Sequence, residues 1–202
     1  MTMTPATATF TERGHVYRDG DQVVPSVSQV LTLAGIDDLR GVPRFNVRRA
    51  AVRGTAVHLA TQFLDRGKLD EHSVAPEIAG YVMAYEQFKR DSGFHPIAIE
   101  ERGVGAIGEL KFGYCIDRVG ILEERLAIVD LKTASKAFDW WAIQTAGYAE
   151  GIRHDGPRYS LHLRANGDYK LIPCDDHADF ETWLAALKVA HWKLAHGWKL
   201  PK

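Results

Sequence analysis

Residues 113–133 read GYCIDRVGILEERLAIVDLKT, two strand-like apolar runs, GYCIDRVG and LAIVDLKT, around the polar turn ILEER. Each run carries one aspartate, Asp117 and Asp130, and Lys132 follows two residues after the second. A turn centred between Glu123 and Glu124 sets Asp117 directly opposite Asp130. Opposed side chains of an antiparallel ladder have Cβ atoms about 4.5–5.5 Å apart. Two carboxylates at that spacing repel unless one stays protonated or a cation lies between them. Oxygen-rich sites of this kind favour Mg²⁺ or Mn²⁺. The pairing depends on register, because a one-residue slip turns every side chain to the other face.

Strand alternation places Lys132 on the face of Asp130 while Leu131 points into the core. Lys132 then reaches a water or phosphate oxygen beside the metal, where its charge orients the one and stabilises the other. Gly113 and Cys115 share the face of Asp117, and both are small. A solvated edge strand accounts for any single one of these charges. It does not account for two acids in ID and VD contexts with a lysine at same-face spacing.

The flanking sequence supplies the frame. An N-terminal hairpin is expected over TFTERGHVYRDGDQVVPSV, with Asp19-Gly20 as its turn. A short helix runs through SQVLTLAG, capped by Ser26 or Ser28 and ended by Gly35. Longer helices are expected from Phe45 to about Arg66 and over PEIAGYVMAYEQFKRD, the latter ended by Gly93. Three strands follow, HPIAIEERG, KFGYCIDRVG and LAIVDLKT. A helix through DWWAIQTAGYAEGI precedes strands in RYSLHLRA and YKLIPCD, and ADFETWLAALKVAHWKLAHG forms a last helix. Residues 1–9, rich in Thr and Ala, are expected to be disordered, and residues 10–202 to form one α/β domain with a mixed sheet.

Composition bounds the function. The 202-residue chain is 46% hydrophobic and 25% charged with a formal net charge of −1, so it lacks the basic balance of a simple nucleic-acid binder. Its two cysteines, Cys115 and Cys174, are too few for a four-cysteine zinc or iron–sulfur site and read as free thiols. No secretory signal or apolar run of membrane-spanning length is visible, so a cytoplasmic location with no membrane partner is expected.

The order helix, three strands, helix, strand, with an aspartate and then D-x-K a hairpin later, resembles the PD-(D/E)XK nuclease superfamily. Three motifs are similar to its RecB-like exonuclease branch: GYCIDRVG before IVDLKT, RGTAVH at residues 53–58, and Gln144 with Tyr148 in QTAGY. Mitochondrial genome maintenance exonuclease and phage RecB-like exonucleases share this look over about residues 50–165. The resemblance implies a restriction-endonuclease-like α/β sandwich, a central mixed β-sheet flanked by helices. It implies that Asp117 and Asp130 bind Mg²⁺ or Mn²⁺ with His58 and the Leu131 carbonyl, and that Lys132 supports the attacking water. Gln144 and Tyr148, at i and i+4 on one helix face, would support the lysine and contact substrate. Glu100 and Glu101 stay open as groups that support the metal's ligands or hold a second metal, since alternation lets only one face the site.

Arg40, Arg44, Arg48, Arg49 and Arg53 form the densest basic stretch and lead straight to His58. Arg49 and Arg53 are the expected phosphate contacts, sequence-independent and salt-sensitive. Trp140 and Trp141 either stack on single-stranded bases or fill core, with core expected for at least one. The reading is a metal-dependent DNA exonuclease that hydrolyses phosphodiesters through metal-activated water, in phage or bacterial DNA recombination, repair or processing. Its expected partners are DNA, with a linear end, and a recombination partner protein. The rivals are an endonuclease on the same site, a non-catalytic nucleic-acid-binding subunit and a Mg²⁺-dependent metabolic enzyme.

Overall fold

The computed structural model describes residues 8–11, 16–37 and 42–201. Its main elements run β1 (Ala8–Thr11), β2 (Val16–Asp19), β3 (Gln22–Val24), α1 (Val27–Ala34), α2 (Arg44–Asp65), α3 (Pro76–Ser92) and β4 (His95–Ile107). They continue through β5 (Leu110–Leu122), β6 (Arg125–Lys132), α4 (Trp140–Ile152), β7 (Arg158–Leu163), β8 (Tyr169–Pro173) and α5 (Ala178–Ala195). Strand β1 begins inside the segment expected to be disordered, and β1–β2–β3 is a three-stranded antiparallel sheet where a hairpin was expected. The expected Asp19-Gly20 signal falls at the β2–β3 turn, whose linking residues are Gly20 and Asp21 between the paired Asp19 and Gln22.

The large sheet has the order β4-β5-β6-β7-β8, with β6–β7 parallel and the other pairs antiparallel. The parallel pair follows from α4, which provides the crossover that parallel neighbours require. This is the mixed α/β sandwich expected from the element order. Two cores flank the sheet. Val30 and Leu31 of α1, Ala146 and Ala149 of α4, and Trp183 and Leu187 of α5 pack with Phe112, Ile116 and Ile128 on one face. Val57 of α2 and Tyr85 and Phe88 of α3 pack with Val129, Leu131 and Leu161 on the other. Both α1 and α5, outside the 50–165 span of the resemblance, therefore share a core with β5.

Local chemistry sets the ends. Ser26 and Gln29 form a reciprocal capping box at the start of α1, with Ser26 Oγ accepting from Gln29 N at 3.2 Å and Gln29 Oε1 accepting from Ser26 N at 2.9 Å. Gly35, at φ 78°, closes the helix in the left-handed region. The β5–β6 loop is the two-residue turn Glu123-Glu124, at φ 49° and 61°, between Leu122 and Arg125. That is type I′ geometry, which matches the strand twist.

The first strand was expected to end at Gly103 and the next to begin at Lys111, but β4 and β5 are each 13 residues long. A second tight turn, at Gly108-Glu109, joins them between Ile107 and Leu110. Beyond Arg118 the long β5 outruns its partner β6, and Gly113 N instead donates to Pro25 O at 2.8 Å. The sheet thus forks at the acids, and the N-terminal segment fills the far side of the fork.

Candidate active site

The β5–β6 ladder ends with the pair Arg118–Val129, in the register the sequence predicts. Asp117 and Asp130 stand one step beyond, where the two strands part. Asp117 Oδ2 accepts from the Leu131 backbone N–H at 2.7 Å. A carboxylate has therefore taken the place of a ladder carbonyl at the fork. Asp117 and Asp130 are 7% and 2% exposed, which excludes the reading of solvated edge charges.

Helix α2 carries His58 to the same point, with Nδ1 3.1 Å from Asp117 Oδ1. A buried anchor holds this helix in place. Arg118, the next residue of β5 after Asp117, donates from Nε to Asp65 Oδ2 at 2.6 Å and from NH2 to Thr61 Oγ1 at 2.9 Å. Asp65 also accepts from Tyr85 OH at 2.8 Å and Lys89 Nζ at 2.7 Å, so α2, α3 and β5 meet on one carboxylate. The sequence gives Arg118 no role; its partners lie far away along the chain and leave no local pattern.

From β6, Lys132 Nζ lies 2.6 Å from Asp130 Oδ2 and donates to Gln144 Oε1 at 2.6 Å. Gln144 Nε2 in turn donates to Tyr148 OH at 2.8 Å and reaches Ser28 Oγ at 3.4 Å. The i, i+4 pair on α4 thus contacts the lysine, as its spacing allows, and Ser28 of α1 joins the chain from outside any motif. Leu131 directs its side chain into the α2/α3 core.

Glu100 also belongs to the site, and Glu101 does not. Glu100 adopts a left-handed φ of 55°, unusual for a residue with a Cβ, where the β4–β5 ladder passes from Ile99–Arg118 to Glu101–Ile116. It therefore stands across from Asp117, making a row of three acids over adjacent strands. One ligand-capable atom from each of His58, Glu100 and Asp117 lies within 4.8 Å of the others. Glu100 Oε2 accepts from Arg102 NH2 at 3.1 Å and from Cys115 Sγ at 3.2 Å. Glu101 is exposed. Non-glycine residues in this region cost of the order of 1–3 kcal/mol and cluster at functional sites.

The electrostatics separate the two aspartates. Burial pushes Asp117 up, but the charge and hydrogen bond of His58, with help from Lys132 and the Leu131 N–H, pull it down to about 2. For Asp130 burial wins, and with the nearby Asp117 charge it prevails over Lys132 to raise the carboxyl to about 6. His58 is raised, because Asp117, Asp130 and Glu100 together outweigh its burial. Burial and the Glu100 charge push the Cys115 thiol up to about 12, so it serves as a donor to Glu100 rather than as a nucleophile.

These residues fit a divalent cation. Asp130 Oδ2 is buried and touches Lys132 but accepts no hydrogen bond of good geometry. A buried carboxylate oxygen without a well-aligned donor carries a desolvation cost that a bound cation would offset. The donors, carboxylate oxygens and one imidazole, are of the kinds that ligate divalent metal ions.

The basic stretch is only partly assembled. Arg48 and Arg49 are exposed on α2. Arg53 is folded inward: NH2 donates to Thr133 O at 3.0 Å and its guanidinium lies 5.5 Å from the Tyr81 ring centroid. Arg40 lies outside the described residues. Trp141 is buried against His162, and Lys132 Nζ lies 5.6 Å and 5.8 Å from the Trp140 and Trp141 ring centroids. Among the described residues no helix is long and apolar enough to cross a membrane.

No family model matches the chain, and no curated protein matches it either. Among solved structures it is similar to a candidate exonuclease from Eubacterium rectale, with a TM-score of 0.52 and 18% identity over 89% of this chain and 90% of that one. At that identity the likeness is one of fold, and it extends over nearly the whole of both chains.

Proposed function

We propose that the protein is a divalent-metal-dependent deoxyribonuclease of the PD-(D/E)XK superfamily, in its RecB-like branch, acting as an exonuclease on linear DNA. The observation that carries this reading is the convergence of His58, Asp117, Asp130 and Lys132 at the fork between β5 and β6. A binding module has no need of buried acids there. The fold shared with a protein described as a candidate exonuclease supports the same reading.

His58, Glu100, Asp117 and Asp130 would hold the cation, with the Leu131 carbonyl as a further oxygen. When bound, Mg²⁺ or Mn²⁺ supplies the charge that acidifies a water and offsets the negative charge developing at phosphorus. The chain's own residues do the positioning. Gln144 Oε1 fixes the Lys132 ammonium on one side and Asp130 on the other, so that Nζ presents its remaining donor toward the reaction. That donor orients the attacking water and then stabilises the phosphoryl oxygens as the bond to the leaving oxygen breaks. Water and a phosphodiester give a phosphate monoester and a hydroxyl. Arg48 and Arg49, exposed on the helix that carries His58, contact the backbone phosphates of the bound strand.

End-labelled linear DNA, single- and double-stranded, and circular DNA test this when incubated with Mg²⁺, Mn²⁺ or EDTA. Metal-dependent loss of the linear substrates alone is expected. Cleavage of the circle would replace the exonuclease reading with an endonuclease on the same site. Binding with no cleavage in either metal would overturn the enzymatic reading.

A further inference from the structure

The last turn of α5 and the residues after it make a surface that the hydrolytic centre does not use. Trp192 and Trp198 are 59% and 57% exposed, although tryptophan is on average a highly buried residue. Neither is loosely attached. His196 stacks on Trp192 with ring centroids 4.2 Å apart, and Lys193 Nζ lies 4.5 Å from the Trp198 ring centroid. The helix ends in a Schellman motif: Gly197 N, at φ 87°, donates to Leu194 O at 3.1 Å, and Trp198 N donates to Lys193 O at 3.1 Å. Each indole thus has a partner against one face and is otherwise largely open.

The charge around them has one sign. From Thr182 onward the sequence holds four lysines and no Asp or Glu. Lys188 and Lys199 are exposed, and Lys188 lies one helical turn before Trp192 on the same face. Lys193 Nζ donates to Leu33 O at 2.5 Å, which ties the end of α5 to the end of α1. Asp37, four residues beyond Leu33, is engaged by Thr32 Oγ1 at 2.7 Å. Beyond Trp198 the chain runs back along α1, where Pro201 O accepts from Gln29 Nε2 at 2.8 Å. At that end of α1, Ser28 meets the Gln144 amide that holds Lys132. About 8 Å of helix separates Ser28 from Leu33, so one short helix joins the patch to the proposed hydrolytic centre. Exposed ring faces among lysines suit a polyanion that carries flat rings. A lipid surface asks for a broad apolar face, and Val189 is the one large aliphatic side chain exposed on α5 among the described residues.

We propose that Trp192, Trp198, Lys188 and Lys199 form a second strand-binding surface, where bases of a nucleic acid stack on the indoles and its phosphates meet the lysines. The proposal rests on the nuclease reading for the supply of a strand. It adds a grip away from the cut, built from residues outside the 50–165 span of the resemblance. Because the grip lies off the reaction, it acts on substrate affinity and not on the bond-breaking step.

Fluorescence anisotropy of a labelled oligothymidylate of about 20 nucleotides, longer than the roughly 4–16 that one small strand-binding fold covers, tests it with the full-length protein in EDTA. Trp192→Ala and Trp198→Ala are each expected to weaken binding about 5- to 150-fold, the range of one base–aromatic stack, and Phe at either position to restore most of it. An abasic strand of the same length and charge is expected to bind wild type at least as weakly as the oligothymidylate binds the alanine variants. With Mn²⁺ the alanine variants are expected to raise KM for the oligothymidylate and leave kcat unchanged. Unchanged affinity in both alanine variants would overturn the surface, and so would equal affinity of wild type for the abasic strand. Loss of binding to phosphatidylserine vesicles in the alanine variants, with DNA binding intact, would overturn it in favour of a lipid surface. Binding that follows these expectations without any cleavage in Mn²⁺ would uphold the surface and overturn the nuclease reading.

Discussion

Arg118 Nε lies 2.6 Å from Asp65 Oδ2, and neither side chain has any exposed surface. This pair sits immediately behind Asp117 and fixes the helix that carries His58. Breaking a buried ion pair by removing one partner leaves the other charged and unpaired, at a typical cost of 3–5 kcal/mol. Asp65→Ala is expected to cost about that much, since it strands Arg118 and also frees Tyr85 and Lys89. Urea denaturation measures the loss. A cost below about 1 kcal/mol would mean that the anchor does not hold α2.

Glu100 and Glu101 are neighbours with opposite surroundings, one beside His58 and Asp117 and the other exposed. Glu100→Gln is expected to weaken Mn²⁺ binding about tenfold or more, by the measure of groups that ligate or orient ligands, while Glu101→Gln leaves it unchanged. Titration followed by the electron paramagnetic resonance of free Mn²⁺ distinguishes them. Equal effects would remove Glu100 from the site.

Asp130 makes the metal-free protein pH-sensitive. Its folded carboxyl is raised to about 6 from an ordinary value of 3.8, so between these values the folded chain holds a proton that the unfolded chain has lost. Stability without metal therefore falls as pH rises from about 4 to about 6, by an amount on the order of 1–3 kcal/mol. Asp117, shifted the other way, contributes stability that is lost only on acidification toward pH 2. His58, raised from 6.5, contributes stability that is lost as pH rises above that value, beyond the Asp130 window. Thermal melts in EDTA across pH 4–6 are expected to show the decline in wild type and a flatter profile in Asp130→Asn. An identical slope in both would assign the effect elsewhere.

The β5–β6 turn places two glutamates at positive φ, 49° and 61°. Type I′ turns prefer Asn-Gly, and left-handed backbone costs an ordinary residue roughly 1–2 kcal/mol. Replacing Glu123-Glu124 with Asn-Gly is expected to raise stability by about 1–2 kcal/mol without altering DNA cleavage. A loss of stability would mean that the glutamates do something beyond closing the turn.

That same turn shows why much of the fold is legible in the sequence. Two polar residues between apolar runs fix its centre, hence the register, and hence the facing of Asp117 and Asp130. Ser26, Gly35 and Gly93 mark helix ends by their own chemistry. Where glycines blur the alternation, in GVGAIGEL, the reading fails, and the second hairpin at Gly108-Glu109 goes unseen. The site divides in the same way. Asp117, Asp130, Lys132 and the Gln144–Tyr148 pair follow from spacing within one element or one hairpin. Ser28, Glu100 and Arg118 do not, because a distant helix, an irregular pairing and a buried anchor leave no periodic trace. Arg53 illustrates the converse: it belongs to a conspicuous basic run, yet it bonds Thr133 O instead of lying free on the surface.

On the proposed function, Lys132 acts at the reaction rather than in holding the fold or the DNA. Single-turnover cleavage of linear DNA with Mn²⁺, comparing wild type with Lys132→Ala alongside DNA affinity and melting temperature, tests it most directly. The expected result is a cleavage rate lowered by about 10²-fold or more, the usual cost of removing a donor that stabilises developing charge, with DNA affinity nearly unchanged and the variant still folded at the assay temperature. Cleavage at the wild-type rate in the variant would contradict it and remove the fork between β5 and β6 as the hydrolytic centre.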